Sequence, residues 1–436
     1  MTGAGLALWG GAECTVNRVG ERSFDQLQLT GHEDRLDDLD RFADLGLRTL
    51  RVALLWERIE PSPGVFDWRW ADAMMERLSR LGVVPIVGLI HHGSGPRWTD
   101  LTQATFATGL AAHAARVAAR YPWVRDWTPV NEPLTTARFS CLYGLWHPHL
   151  TSEAAFWGAL LNQIDATALA MREIRRVVPG ARLVQTEDHG RTYATAPCAA
   201  QAGFENDRRL MTWDLLCGRV DSSHPLRAHL ARFGLSDRLD ALVVAPTPPD
   251  VIGLNHYVTS DRFLDHRLER YPSHLHGGNG EVAYADTEAV RAVAEWTPGW
   301  GRDLEVLHAR YGLPLAVTEC HLGCDPAQQA IWLNQCWRAA LETRRAGVPV
   351  EAVTVWALVG SVGWDRLLTE VDGRYEAGVF DAALPATPET ELGLAVRALA
   401  TGAIPAADPH PGWWGRPDRL VLPLTVPLCI PETLVA

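Results

Sequence analysis

Short apolar runs recur along this chain, separated by longer amphipathic stretches, and that alternation restricts the fold more than any other feature. The runs fall at residues 6–13, 49–55, 84–91, 127–131, 181–186, 250–257, 315–319 and 352–358. Most are rich in Val, Leu and Ile and nearly continuous rather than alternating. A strand covered on both faces needs such a run, as in a parallel sheet. Helical patterns lie between them, at residues 32–45, 70–81, 105–120, 153–178 and 328–346, and Gly46, Gly82 and Gly347 follow three of them as stop signals. Eight such units predict an α/β fold of the (β/α)8 TIM-barrel type. The barrel is expected over residues 1–404 as a single domain, with a Pro-rich C-terminal extension over 405–436 that contains Trp413 and Trp414. The connection 187–249 is too long for one helix and should carry extra ones. A doubly wound sheet is the alternative, but no GxGxxG follows the first run. Gly93-Ser94-Gly95 runs into Pro96 without a third Gly.

Composition removes several kinds of chemistry. All 40 Lys+Arg residues are Arg. A chain without lysine has no Schiff-base lysine, no P-loop lysine and no Ser-Lys dyad. The formal charge of -12 argues against a nucleic-acid partner. The absence of an apolar run of about 18 residues argues against a membrane span. Residues 1–9 lack the basic region of a secretory signal, and the eight Cys form no tight framework. These features together predict a cytoplasmic protein with reduced thiols. The 18 Trp outnumber Phe and Tyr, and indole faces pack well against sugar C–H faces, although most Trp should serve the core.

In a barrel of this kind the chemistry sits at the C-terminal ends of the strands. Those ends carry Glu13, Arg51 and Glu57, His91-His92, Asn131-Glu132-Pro133, Glu187-Asp188-His189, Asn255-His256-Tyr257, Thr318-Glu319 and Trp356. Two carboxylates across such a mouth can cleave a glycosidic bond, one protonating the leaving oxygen while the other attacks the anomeric carbon. Glu132 and Glu319 are the best pair, because each follows an apolar run directly.

Those motifs resemble glycoside hydrolase family 1, within the clan of barrel glycosidases with the acid/base on strand 4 and the nucleophile on strand 7. Thr128-Pro129-Val130-Asn131-Glu132-Pro133 is similar to its acid/base motif and Leu315-Ala316-Val317-Thr318-Glu319 to its nucleophile strand. Leu50-Arg51-Val52 through Glu60-Pro61 resembles its strand-2 signature, and Asp250 through Tyr257 its strand-6 motif. The resemblance, over roughly residues 6–400, implies a retaining β-glycosidase that hydrolyses or transfers a glycosyl group. Glu319 would attack and Glu132 would act as acid and base. Arg51 and Tyr257 would hold Glu319, and Asn131, His91, Asn255, Trp356, Trp364 and Asn17 would bind or orient the sugar. This chain departs from the family at Asn17, where a Gln is usual, at Cys320-His321 after the nucleophile, and at Gly363, where a Glu normally precedes the Trp. The departures imply a glycone other than plain glucose.

A metal set assembled from His91, His92, Glu187, His189 and His321, with Cys320 and Cys324 nearby, is the competing site. No HxH or HExxH spacing on one element supports it, so neither a metal nor an organic cofactor is expected. A non-hydrolytic sugar-binding or regulatory barrel is the competing function. The expected partner is a small carbohydrate or glycoside, with self-association into a homo-oligomer left open.

Overall fold

The structure, a computed structural model, describes residues 5–406 and 411–421. Eight parallel strands close a barrel: β1 (Ala7–Gly11), β2 (Thr49–Ala53), β3 (Val84–His91), β4 (Asp126–Asn131), β5 (Arg182–Asp188), β6 (Val251–Asn255), β7 (Leu315–Cys320) and β8 (Val350–Trp356). Each apolar run predicted above contributes one of them. β1 closes the ring by pairing with both ends of the sequence order, with Gly10 opposite Leu50 on β2 and Val355 on β8. Helices α1 (Asp38–Asp44), α2 (Arg69–Leu81), α3 (Thr105–Arg120), α4 (Glu153–Val177), α5 (Ala199–Arg209), α6 (Trp300–Tyr311), α7 (Pro326–Arg345) and α8 (Glu391–Ala400) surround it.

The barrel interior is filled below its mouth. Trp9, Ile86, Val184, Val251, Ala316 and Ala352 point inward from six strands and form one apolar layer. A packed interior leaves only the C-terminal ends of the strands free for ligand. Most of the indoles are buried, twelve of the 18 Trp.

Two local readings change. The helix expected over 32–45 is shorter. A 3-10 turn at His32–Asp34 ends at Arg35, and α1 starts only at Asp38. His32 Nδ1 and Arg35 Nε both reach the Asp38 carboxylate, at 2.7 and 3.2 Å. Those polar contacts override the apolar spacing of Leu36, Leu39 and Phe42. The second change is a four-stranded sheet that the sequence did not suggest, built from Thr192–Ala194, Arg262–Asp265, Ala283–Glu288 and His276–Gly278. It stands beside the barrel mouth with α5 and the other helices of the long β5–β6 connection.

Of the C-terminal extension, residues 407–410 and 422–436 lie outside the described residues. The part that is described packs on α7. Trp414 meets Trp332 edge-on at 5.0 Å, and its Nε1 donates to Gln335 at 3.0 Å. Arg419 donates to the Val290, Val293 and Ala294 carbonyls. No helix among the described residues is long and apolar enough to cross a membrane.

Candidate active site

Glu132 occupies an unusual backbone position. It follows β4 and precedes Pro133, the first residue of a short helix, Pro133–Ala137. A following proline disfavours the right-handed helical region, and Glu132 adopts φ 45° and ψ 64° instead. Such a left-handed non-glycine residue costs about 1–3 kcal/mol and persists only where its surroundings fix it. Here Glu132 N donates to the Thr186 carbonyl at 3.3 Å, and Thr136 N donates to the Glu132 carbonyl at 2.9 Å. Asn255 Nδ2 donates to Glu132 Oε1 at 2.5 Å, and Asn255 is itself oriented by the Thr318 hydroxyl at 2.7 Å. Burial pushes the Glu132 carboxyl well above the usual range, and the nearby charges of Glu319, Asp188 and Glu187 add to that. Among the described residues, the basic side chain within 4.0 Å of it is His92, 3.8 Å away, and burial drives that imidazole down to about 3, so it is neutral.

Glu319 is aimed by an irregularity in β7. Val317 pairs with Leu254 on β6, yet the next partners are Glu319 and Asn255, which leaves Thr318 as an extra residue. The same offset occurs on the β8 side between Val317 and Cys320. A bulge of this type turns the following side chain, and Glu319 enters the mouth while Cys320 joins the core. Arg51 Nη1 donates to Glu319 Oε1 at 2.7 Å and to the Thr318 carbonyl at 2.8 Å. Tyr257 donates its hydroxyl to Glu319 Oε2. Burial raises the Glu319 carboxyl, while the Arg51 cation and the Tyr257 hydrogen bond pull it back down.

Trp356 forms the floor between these groups. Arg51 lies 4.7 Å from its ring centroid, His91 stacks on it at 5.6 Å, and its Nε1 donates to Glu13 Oε2 at 3.1 Å. Gly11 makes room for the ring, because a Cβ there would lie 2.3 Å from Trp356 Cζ3. Asn131 ties the floor to the rest of the site. Its Oδ1 accepts from Arg51 Nη2 and Thr186 Oγ1, both at 2.7 Å, and its Nδ2 donates to His91 Nε2 at 3.2 Å.

These groups surround a cavity of about 650 Å³. Glu132, Glu319, Tyr257, Trp356 and Trp364 line it, whereas Arg51, His91, Asn131 and Asn255 stand behind the lining and orient it. Asn17 does not join them. It is buried, with Nδ2 on the Leu368 carbonyl at 3.4 Å, and does not line the cavity.

Glu13 and Asp188, which the sequence put at strand ends, and His321, from the competing metal set, also line the cavity, together with Glu376, Arg138 and Arg209, which the sequence did not single out. Glu13 was legible as the end of the first run, but Glu376 was not. It comes in on a hairpin that pairs Ser361 with Glu376, and it lies 3.4 Å from His321 Nε2. Gly363, in the same hairpin, has φ 82°, a backbone region unfavourable for any side chain with a Cβ. A carboxylate is thus disfavoured at 363 and present at 376.

The competing metal set is dispersed. Glu187 accepts from Leu134 N, Thr135 and Thr212 and serves the scaffold. No group of three or more His, Cys, Asp or Glu suited to a metal ion occurs among the described residues.

Residues 27–100 match the family model of the glycoside hydrolase 42 β-galactosidases. A phospho-cellobiase of Klebsiella oxytoca is 23% identical over 397 residues, 83% of this chain and 82% of that protein. A 6-phospho-β-glucosidase of Dickeya chrysanthemi is 21% identical over 337 residues, 71% of this chain and 70% of that protein. The β-glucosidase from Thermotoga maritima in complex with deoxynojirimycin has a TM-score of 0.70 and 16% identity, covering 86% of this chain and 88% of that one. The chain thus resembles these phospho-β-glucosidases along most of its length and shares the barrel fold of a family 1 β-glucosidase from Thermotoga maritima.

Proposed function

We propose that the protein is a retaining β-glycosidase. The observation that carries this reading is the contrast between the two carboxylates. Glu319 accepts hydrogen bonds from a cation and a phenol. Glu132 accepts one from a neutral amide and faces a neutral imidazole. Such surroundings favour an ionised nucleophile and a protonated acid. Glu319 attacks the anomeric carbon, and the bond to the aglycone oxygen breaks as Glu132 gives that oxygen its proton. Glu132 then takes a proton from water, whose oxygen attacks the same carbon and releases Glu319. Two inversions restore the starting configuration. Relatives named as phospho-cellobiase and 6-phospho-β-glucosidase agree with β-glycoside cleavage.

The glycone we propose is not plain glucose. Gly363 offers no carboxylate, the Asn17 amide is spent on Leu368, and Glu13, Glu376 and His321 present their polar groups from other directions. A non-hydrolytic sugar-binding barrel would have no need for a cation and a phenol fixed on one buried carboxylate.

Glu319→Gly tests the assignment. Turnover should fall by about 10³-fold or more, and added azide should restore it with an inverted glycosyl azide as product. Wild-type rates in the variant would overturn it.

A further inference from the structure

Arg209 is an anomaly in the cavity wall. It ends α5 and is 4% exposed, yet its Nε and Nη1 have no hydrogen-bond partner among the described residues. Arg138, on the turn after the Glu132 helix, also lines the cavity, and its buried Nε is likewise without a partner among them. Both guanidiniums approach one carboxylate without hydrogen-bonding it. Asp188 Oδ2 lies 3.8 Å from Arg209 Nη1 and 3.9 Å from Arg138 Nη2. Asp188 Oδ1 is occupied by the Ser260 hydroxyl. The neighbouring acid, Glu205, is held by Arg208 and Gln201.

Asp188, Glu205 and Asp261 attract the arginines at a distance, yet buried donors of both guanidiniums are left without an acceptor among the described residues. A buried donor without an acceptor is costly and rare. Burial disfavours the charge on Arg209, and so does repulsion from Arg138, against the attraction of Asp188, Glu205 and Asp261. An anion between the two guanidiniums would satisfy both the charge and the donors, since Arg presents its N–H groups as a fork suited to oxyanions.

The cluster also has a defined place. Asp188 acts electrostatically on Glu132, and Arg138 follows directly on the Pro133–Ala137 helix that starts after Glu132, which puts the cluster near the proposed acid. Glu13, by contrast, acts on Glu319 and accepts from the Trp356 indole N–H. Arg138 lies 5.3 Å from the Phe139 ring centroid, and Phe139 and Tyr143 continue the same wall.

We propose that Arg138 and Arg209 bind an anionic group, a carboxylate, sulfate or phosphate, carried by the leaving group of the substrate. The inference rests on the β-glycosidase reading for what the ligand is, but its test reads binding alone. The probes are 4-hydroxybenzoate and its neutral counterpart 4-hydroxybenzamide, titrated calorimetrically into the wild type and into Glu319→Gln.

The benzoate should bind at least about tenfold more tightly than the amide in both proteins. Arg209→Gln and Arg138→Gln should each bring the two ligands within about twofold. Added NaCl should weaken the benzoate and not the amide; this wild-type measurement stands even if one arginine variant fails to fold. Equal binding of the two phenols by the wild type would overturn the proposal. So would a benzoate preference that survives in both arginine variants. Inorganic sulfate binding as tightly as the benzoate would make this a free-anion site and also overturn it. Loss of the glycosidase reading would appear instead as an unaffected rate in Glu319→Gly, with the binding ratios unchanged.

Discussion

Arg51 Nη1 donates to Glu319 Oε1 at 2.7 Å while the same guanidinium lies 4.7 Å from the centroid of the Trp356 ring. One buried cation thus joins the proposed nucleophile to the aromatic floor of the cavity. Arg51→Met should leave Glu319 buried without its counter-ion. Breaking such a pair destabilises by about 3–5 kcal/mol, which thermal melting would register. The Arg51 cation holds the Glu319 carboxyl down, so its removal should let Glu319 ionise only at higher pH. The acidic limb of kcat/KM should move upward. A limb that stays in place would separate Arg51 from the nucleophile.

Glu132→Ala should discriminate between leaving groups. Aglycones that need a proton should lose about 10²–10⁴-fold, and activated phenols far less. Glu132 must be protonated to act as acid, and its carboxyl lies above the ordinary range. The wild-type rate should therefore fall as pH rises through that elevated ionisation. Glu132→Gln, assayed on an activated phenol, should lack this basic limb. Because the two carboxyls interact, the limbs belong to the pair rather than to either residue. Equal losses for all leaving groups would assign Glu132 a structural role.

Aryl glycosides that differ only in the sugar test the glycone. A deoxy sugar, a pentose or a substituted hexose should exceed plain β-glucoside and β-galactoside in kcat/KM. The preference should weaken in Glu13→Gln and Glu376→Gln, whose carboxylates line the cavity. Hydrogen-bonding sites reject analogues by up to about 10⁴-fold, whereas apolar contacts give about 10–200-fold, so the size of the gap reports which kind of contact acts. Efficient turnover of plain β-glucoside with no better sugar would contradict the reading.

Trp414→Ala tests whether the C-terminal extension belongs to the barrel. Its ring is 1% exposed and packs on Trp332, which packs on Trp300 at 4.3 Å. Removing a buried Trp costs about 3–5 kcal/mol, and melting should shift accordingly. No shift would make the extension an independent segment.

The barrel was legible because strands buried on both faces must be written as apolar runs, and each run in this chain became a strand. The positions of Glu132 and Glu319 were legible for a related reason: a polar residue directly after such a run has to emerge at the rim. Glu376 and Arg209 lacked that signature. One sits on a short hairpin and the other ends a helix in the long β5–β6 connection. Their place in the cavity depends on how those insertions fold back, and no local periodicity encodes it. The four-stranded sheet was missed because its strands are three to six residues long, too short to establish a pattern. Asn17 was legible as a position but not as a contact, since Leu368, which takes its amide, lies 351 residues away in sequence.

The extra residue at Thr318 has a consequence for how this site can tolerate change. Side chains alternate along a strand, so a one-residue slip sends each to the opposite face. The aim of Glu319 is therefore a property of the backbone ladder and not of its own side chain. The chain can lose the carboxylate and still keep a hole of the right shape and polarity, with Arg51 and Tyr257 facing into it. Losing one residue from β7 would instead turn the Glu319 carboxylate toward the surrounding helices. Point changes in this strand should silence the site without dismantling it, and changes of length should do both.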